Sequence, residues 1–238
     1  MRIALLGYGK MGRLIEEMAV NEGWEVGPKL DVHNNQGGCG ITEASMDRVD
    51  VALEFSQPDA VLANMEACAR LGVNLVVGTT GWMESLRRVE ELVSETGIGM
   101  VYGSNFSVGM NLFYEIVTRA AQLVGSLPHY DPFVTEQHHR AKLDAPSGTA
   151  LRLREILLER FRGRPPAIAS TRAGFIPGNH QVGFDSESDT IVLEHRARNR
   201  TGFAQGSILA ARWIAGRKGL YDFHAVFQRI LEMVPEGG

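Results

Sequence analysis

The sequence predicts an α/β architecture: a parallel, doubly wound sheet in the N-terminal part, followed by an α+β domain with an open mixed sheet. Three observations carry this. From Arg2 to Tyr102, short apolar runs alternate with amphipathic segments, the pattern of parallel strands joined by helical crossovers. A glycine motif stands between the first apolar run and the first amphipathic segment. After Asn105 the alternation gives way to one long helix and several extended runs. The length, 238 residues, suits two domains.

The elements follow in order. Ile3–Leu6 reads as a buried strand. Lys10–Val20 carries Met11, Leu14, Ile15 and Met18 at helical spacing. Trp24–Asp31 is a weaker strand, interrupted by Gly27 and Pro28. Val51–Phe55 is a third strand, and a helix runs from Pro58 to Arg70, with proline suited to its first turn. Val73–Val77, a helix at Met83–Glu95 and a strand at Ile98–Tyr102 complete the first part. Beyond it come a helix at Met110–Val124, strands at Tyr130–Gln137, Ala167–Ala173, Gln181–Phe184 and Thr190–Ala197, and a helix at Thr149–Phe161. Gly206–Ala215 reads as helix, as does Phe223–Met233, which is expected to return to the first domain. The expected division is 1–105 with 217–238 as one domain and 106–216 as the other.

Composition excludes several classes. Apolar residues make up 44% and charged residues 22%, ordinary for a globular chain and unlike a disordered or collagen-like one. A net charge of −4 argues against nucleic acid as the main partner. The chain has no apolar run of membrane-spanning length and no secretory leader ahead of the glycine motif, so a cytoplasmic location is expected. Cys39 and Cys68 have no metal-ligand spacing.

Gly7-Tyr8-Gly9-Lys10-Met11-Gly12 is a GxGxxG motif that follows a strand and opens a helix. Gly7 permits the tight turn, Gly9 lets backbone approach a pyrophosphate, and Gly12 lets helix and strand pack closely. The helix N-terminus adds unpaired N–H groups and a positive partial charge. This context favours a Rossmann-type dinucleotide site over a ligand-free turn. Asp31 stands where an acid accepts from the adenosine ribose; the plainer alternative is a solvated turn aspartate. Val32, His33 and Asn34 follow it, with no arginine for a 2′-phosphate, although Lys10 or Lys29 is available. NADH is therefore favoured, with dual use open. Gly78-Thr79-Thr80-Gly81 and Gly103-Ser104-Asn105-Phe106 close two further strands at the sheet edge where ligands bind. Phe106 either lines the nicotinamide or belongs to the core.

The segment Glu136–Thr149 holds the densest set of proton carriers and cations: His138, His139, Arg140 and Lys142, then Pro146-Ser147-Gly148 at a helix start. Asp144 or Ser147 is a good N-cap, and the N–H groups of Gly148 and Thr149 then form a place for a carboxylate. Lys142 can hold that carboxylate or donate a proton, and a histidine can act as general acid near neutral pH. Both histidines serve one site only if the strand ends or twists between them. The plain alternative is a surface histidine pair, a solvated lysine and an ordinary cap. A metal centre is disfavoured, because adjacent histidines rarely face one ion and no HExxH or cysteine partner exists. No GxSxG elbow supports a serine hydrolase.

With these residues in view, the HHRxKxDAPSGTA core closely resembles the signature of the dihydrodipicolinate reductase family of bacterial lysine and diaminopimelate synthesis. The resemblance extends to Gly7–Gly12, Phe55-Ser56-Gln57-Pro58, Gly78–Gly81, Asn105–Gly109, Arg172-Ala173-Gly174 and Arg200–Ala204, nearly the whole chain in order. It implies that His138 is the general acid/base, that His139 contacts substrate, and that Lys142 donates a proton or anchors a carboxylate. It implies substrate contacts from Ser147, Gly148 and Thr149. Cofactor contacts are implied at Gly7, Tyr8, Gly9, Lys10, Met11, Gly12, Asp31, Gly78, Thr79, Thr80, Gly103, Ser104, Asn105 and Phe106. The implied substrate is a small cyclic dicarboxylate, the cofactor NADH or NADPH, the metal none, and the assembly a homotetramer built through the second domain's sheets. Two alternatives compete. A different nicotinamide-dependent dehydrogenase shares the glycine motif but lacks the His–Lys–PSGT segment. A dinucleotide-binding regulator has no use for His138 and Lys142 together.

Overall fold

The structure is a computed structural model in which residues 1–161 and 163–233 are described. Position 162 and the tail 234–238, the end of the expected return to the first domain, lie outside them. The chain forms two compact units, Met1–Val108 with Thr201–Gly238, and Gly109–Arg200.

The first unit is built on a six-stranded parallel sheet of order β10-β5-β4-β3-β1-β2. Its strands are β1 (Arg2–Leu6), β2 (Glu25–Leu30), β3 (Val51–Glu54), β4 (Asn74–Val77), β5 (Gly99–Tyr102) and β10 (Gly219–Asp222). Strands covered on both faces read as continuous apolar runs, and β1 and β3 are buried almost throughout. Side chains alternate between the faces. Ile3 and Leu5 point to a core shared with α1 (Lys10–Asn21), α6 (Thr201–Ile214) and α7 (Phe223–Glu232). Ala4 and Leu6 point to a second core under α2 (Val61–Arg70) and α3 (Leu86–Thr96). Gly27 and Pro28 are tolerated because β2 is an edge strand, and its register with β1 shifts between Ile3 and Leu5.

The second unit is a four-stranded mixed sheet of order β7-β6-β8-β9. Its strands are β6 (Asp131–His138), β7 (Ala167–Arg172), β8 (Asn179–Asp185) and β9 (Thr190–Arg196). The connection through α5 (Gly148–Leu158) makes β6 and β7 parallel; the other pairs are antiparallel. One face packs on α5 and α4 (Val108–Val124) through Val134, Val182 and Phe184.

The return to the first sheet begins at Thr201 rather than at 217. The helix expected at 206–215 starts five residues earlier, and it packs against α1 and strands β3, β4 and β5 instead of belonging to the second sheet. A strand, β10, follows where only a glycine-flanked break was expected. The other expected elements are present with shifted ends; the helix expected from Pro58, for example, begins at Val61. No described helix is long and apolar enough to cross a membrane.

Candidate active site

In the first unit, the sequence-predicted cofactor residues gather at one edge of the parallel sheet, beyond the carboxyl ends of β1, β2, β4 and β5. Gly7 has φ +96° and its N–H donates to Leu30 O at 2.7 Å. A Cβ there would lie 2.2 Å from Phe55 O, and one at Gly12 would lie 2.3 Å from Gly7 O. Both positions therefore require glycine for the turn and for the packing of α1. Gly9 differs: a Cβ there meets nothing within 4 Å. The open space lies at the N-cap of α1, which has no side-chain cap. An approachable backbone at an uncapped helix start fits a pyrophosphate.

Asp31 follows β2 in a side-chain turn, accepting from His33 N–H at 2.9 Å, while Asn34 Oδ1 accepts from Asp31 N–H at 2.7 Å. Lys29 is ion-paired with Glu16, which also accepts from the Tyr8 hydroxyl. The Lys29 ammonium stands 5.1 Å from the centre of the Tyr8 ring. Gly78 is forced by packing, since a Cβ there would lie 2.0 Å from the Phe55 ring. Thr79 is buried and Thr80 exposed. Lys10 and Ser104 are exposed, and Asn105 Oδ1 accepts from Ser107 N–H at 2.9 Å. Two of the expected contact residues pack against the core. Phe106 is 2% exposed and packs on Phe55 and Phe223. Met11 is half-buried and packs against the same core.

In the second unit, His138 is the last residue of β6. The strand ends between the two histidines, the condition for both to serve one site. His139 is half-buried in a turn in which its carbonyl accepts from Lys142 N–H at 3.1 Å. Ser147 caps α5, its hydroxyl accepting from Ala150 N–H at 3.2 Å. Gly148 and Thr149 open that helix, Gly148 exposed.

Lys142 Nζ lies 2.8 Å from Asp144 Oδ1. The Lys142 ammonium holds the Asp144 carboxyl below the usual range, and the Gly148 N–H adds to this. An internal carboxylate thus occupies Lys142 and the Gly148 N–H, two of the groups that the sequence assigns to a substrate carboxylate.

Four residues that sequence reasoning assigned no role complete the cluster: Glu136, Arg172, Gly178 and His180. On a strand, residues two apart share a face, so Glu136 lies beside His138, its Oε2 at 2.5 Å from His138 Nδ1. The registers place Arg172 opposite His138 and His180 opposite Glu136. Arg172 grips both Glu136 oxygens, at 2.7 and 2.9 Å, and also donates to Asp144 O. Burial pushes the Glu136 carboxyl up, but hydrogen bonds from Arg172, Ser170 and His138 outweigh it and hold it at about 2. Burial lowers His138, with Glu136 opposing and the charges of Lys142 and Arg172 reinforcing the shift. Burial and the neighbouring His138 push His180 down to about 3. Donor atoms of Glu136, His138 and His180 fall within 4.8 Å of one another. Arg172 donates to both carboxylate oxygens and so ties the group into a hydrogen-bonded cluster. Glu136 stood inside the unusual segment and was legible by its i, i+2 spacing; the cross-strand partners were not.

Comparison with known proteins identifies one family over residues 1–106 and 109–227. Residues 1–106 match the family model for the N-terminus of dihydrodipicolinate reductase, and residues 109–227 the model for its C-terminus. The chain is 33% identical over 243 residues to 4-hydroxy-tetrahydrodipicolinate reductase of Christiangramia forsetii, covering 98% of this chain and all of that one. It is 36% identical over 206 residues to the enzyme of the same name from Methylococcus capsulatus, covering 78% and 75% of the two. A dipicolinate-bound dihydrodipicolinate reductase from a Paenisporosarcina species shares the fold, with TM-score 0.77 and 24% identity over 95% of this chain and 99% of that one. With both family models matched in order and a relative covered end to end, the chain belongs to the dihydrodipicolinate reductase family.

Proposed function

We propose that this oxidoreductase reduces 4-hydroxy-tetrahydrodipicolinate to tetrahydrodipicolinate with NADH or NADPH, in the cytoplasm, as a step of lysine and diaminopimelate synthesis. The observation that carries the reading is the Asp144 carboxylate on Lys142 and the start of α5, in the segment that also presents His138. Groups that hold one carboxylate in this way suit a carboxylate of the substrate ring.

Gly7, Gly9 and Gly12, with Asp31 and the loops at Gly78–Thr80 and Gly103–Asn105, would hold the dinucleotide. When bound, a reduced nicotinamide supplies a hydride. Lys142, Ser147, Gly148, Thr149 and His139 orient the dicarboxylate ring. Loss of the 4-hydroxyl as water would give the conjugated dihydropyridine ring, and His138 or Lys142 would then give a proton to the carbon or nitrogen anion left by hydride addition, so that the net change is a gain of two electrons and two hydrogens and the release of one water. NADH is the favoured cofactor, because Lys29 is engaged by Glu16 and no arginine follows Asp31. The assembly is a homotetramer formed through the uncovered face of the second unit's sheet, where Val192 is 46% exposed.

The test is direct. Purified protein is mixed with NADH, and the condensation product of aspartate semialdehyde and pyruvate is added while absorbance at the nicotinamide band is followed. Consumption of NADH is expected. A lack of consumption with both NADH and NADPH rejects the reading.

A further inference from the structure

We propose that Glu136, clamped by Arg172, is a positioning residue that fixes His138 in the tautomer with its proton on Nδ1, so that Nε2 is the atom that exchanges a proton with substrate. This rests on the function proposed above and assigns to that site a residue pair and an atom.

The geometry carries it in three steps. First, Glu136 is 1% exposed, and its carboxylate is 2.5 Å from His138 Nδ1. An ionised carboxylate only accepts hydrogen bonds. Nδ1 must therefore carry the hydrogen, and in the neutral ring Nε2 holds the lone pair. Arg172 keeps the carboxylate ionised by donating to both of its oxygens.

Second, Nε2 faces Gly178. A Cβ at that position would lie 3.1 Å from Nε2, and the residue has φ +148°, a conformation that favours glycine. The missing side chain keeps the approach to Nε2 clear.

Third, the same carboxylate also sets the binding turn. Glu136 Oε1 accepts from Ser147 N–H at 3.3 Å, and Ser147 is the cap from which Gly148 and Thr149 begin α5. Arg172 reaches Asp144 O, beside the Lys142 pair. The proton carrier and the carboxylate niche are thus referenced to one buried group. His180, with its ring centre 5.1 Å from that of His138, remains neutral and contributes no second positive charge there.

The groups facing His138 are Glu136, Arg172, His180 and Lys142. Of these only Glu136 favours the protonated ring. Its removal therefore lowers the fraction of His138 able to donate. Glu136→Gln is the informative change, because its amide keeps the size but can place an N–H donor against Nδ1. The expected result is a fall in kcat of about a hundredfold, with KM and the Kd for NADH changed less than about threefold. The limb of the kcat profile on which activity falls with rising pH moves to lower pH. A merely structural role would move Kd and folded fraction together and leave the profile in place.

If the variant does not fold, the wild-type protein still decides. Nitrogen-15 histidine spectra, assigned with His138→Gln, are expected to show the Nδ1–H tautomer for His138. An Nε2–H tautomer, or a Glu136→Gln enzyme with the wild-type kcat and pH profile, overturns the proposal. Absence of substrate reduction by the wild-type chain would reject the function, while the tautomer measurement would still report on the pair.

Discussion

Glu16 is where a single charge bears on the choice between two cofactors. It is ion-paired with Lys29 and accepts from Tyr8, the residue between the first two motif glycines. Lys29 stands two positions before Asp31, and Arg13 approaches the same Tyr8 ring at 5.6 Å. A 2′-phosphate on the adenosine ribose would thus meet two cations, but also Glu16 and Asp31. Exposed pairs of this kind contribute little to stability; a misplaced like charge acts on selectivity instead. Glu16→Gln is expected to tighten NADPH binding by about tenfold with little change for NADH, read by fluorescence titration of each dinucleotide. An unchanged ratio would remove Glu16 from the discrimination. The candidate site itself was legible in the sequence only where its residues are consecutive. His138, His139, Lys142 and the Ser147–Thr149 turn sit in one run of chain. Arg172 and His180 enter the same cluster through the pairings of β6 with β7 and β8, and strand register is set by packing that no local pattern displays.

Among the elements, α6 and β10 show why part of the fold was illegible. The helix opens with Thr201, Gly202 and Phe203, and has a second glycine at Gly206. Glycine is a poor helix former, so propensity suggests a later start. The structure uses Gly206 for contact rather than for freedom. A Cβ there would lie 1.8 Å from Phe106 O and 3.1 Å from the Phe223 ring. β10 has four residues, Gly219–Asp222, too few for a period to appear; it is defined by its pairing with β5. By contrast, β1 and β3 were legible as unbroken apolar runs because both of their faces are buried, and α1 was legible by the periodic trace of its one buried face. Gly206→Ala tests the reading of α6. The substitution improves intrinsic helix propensity, yet it must push α6 off the loop at Phe106. A loss of about 3 kcal/mol in urea unfolding is expected. A variant as stable as wild type would show that α6 does not sit where the contact places it.

At the scale of the whole molecule, one face of the second unit's sheet is left uncovered by that unit's own helices among the described residues. Val134, Val182 and Phe184 face α4 and α5, so the residues between them face outward. The registers align these in rows: Phe133, Gly183 and Val192; Thr135, Gln181 and Glu194; Gln137, Asn179 and Arg196. A solvated face is ordinary for an antiparallel sheet, and the second and third rows alone would not need a cover. The first row differs. Phe133 lies across Gly183, where a Cβ would come within 2.1 Å of its ring, and Val192 continues that apolar row at 46% exposure. An apolar row bordered by hydrogen-bonding rows suits a self-complementary contact between copies, with the polar rows setting its register. The wild-type protein is expected to sediment at four times the 26.1 kDa chain mass. Val192→Lys places a charge in the apolar row and is expected to shift the mass to a smaller species while leaving the circular dichroism spectrum unchanged. A wild-type monomer, or a tetramer untouched by the lysine, would show that this face is not the one through which copies associate.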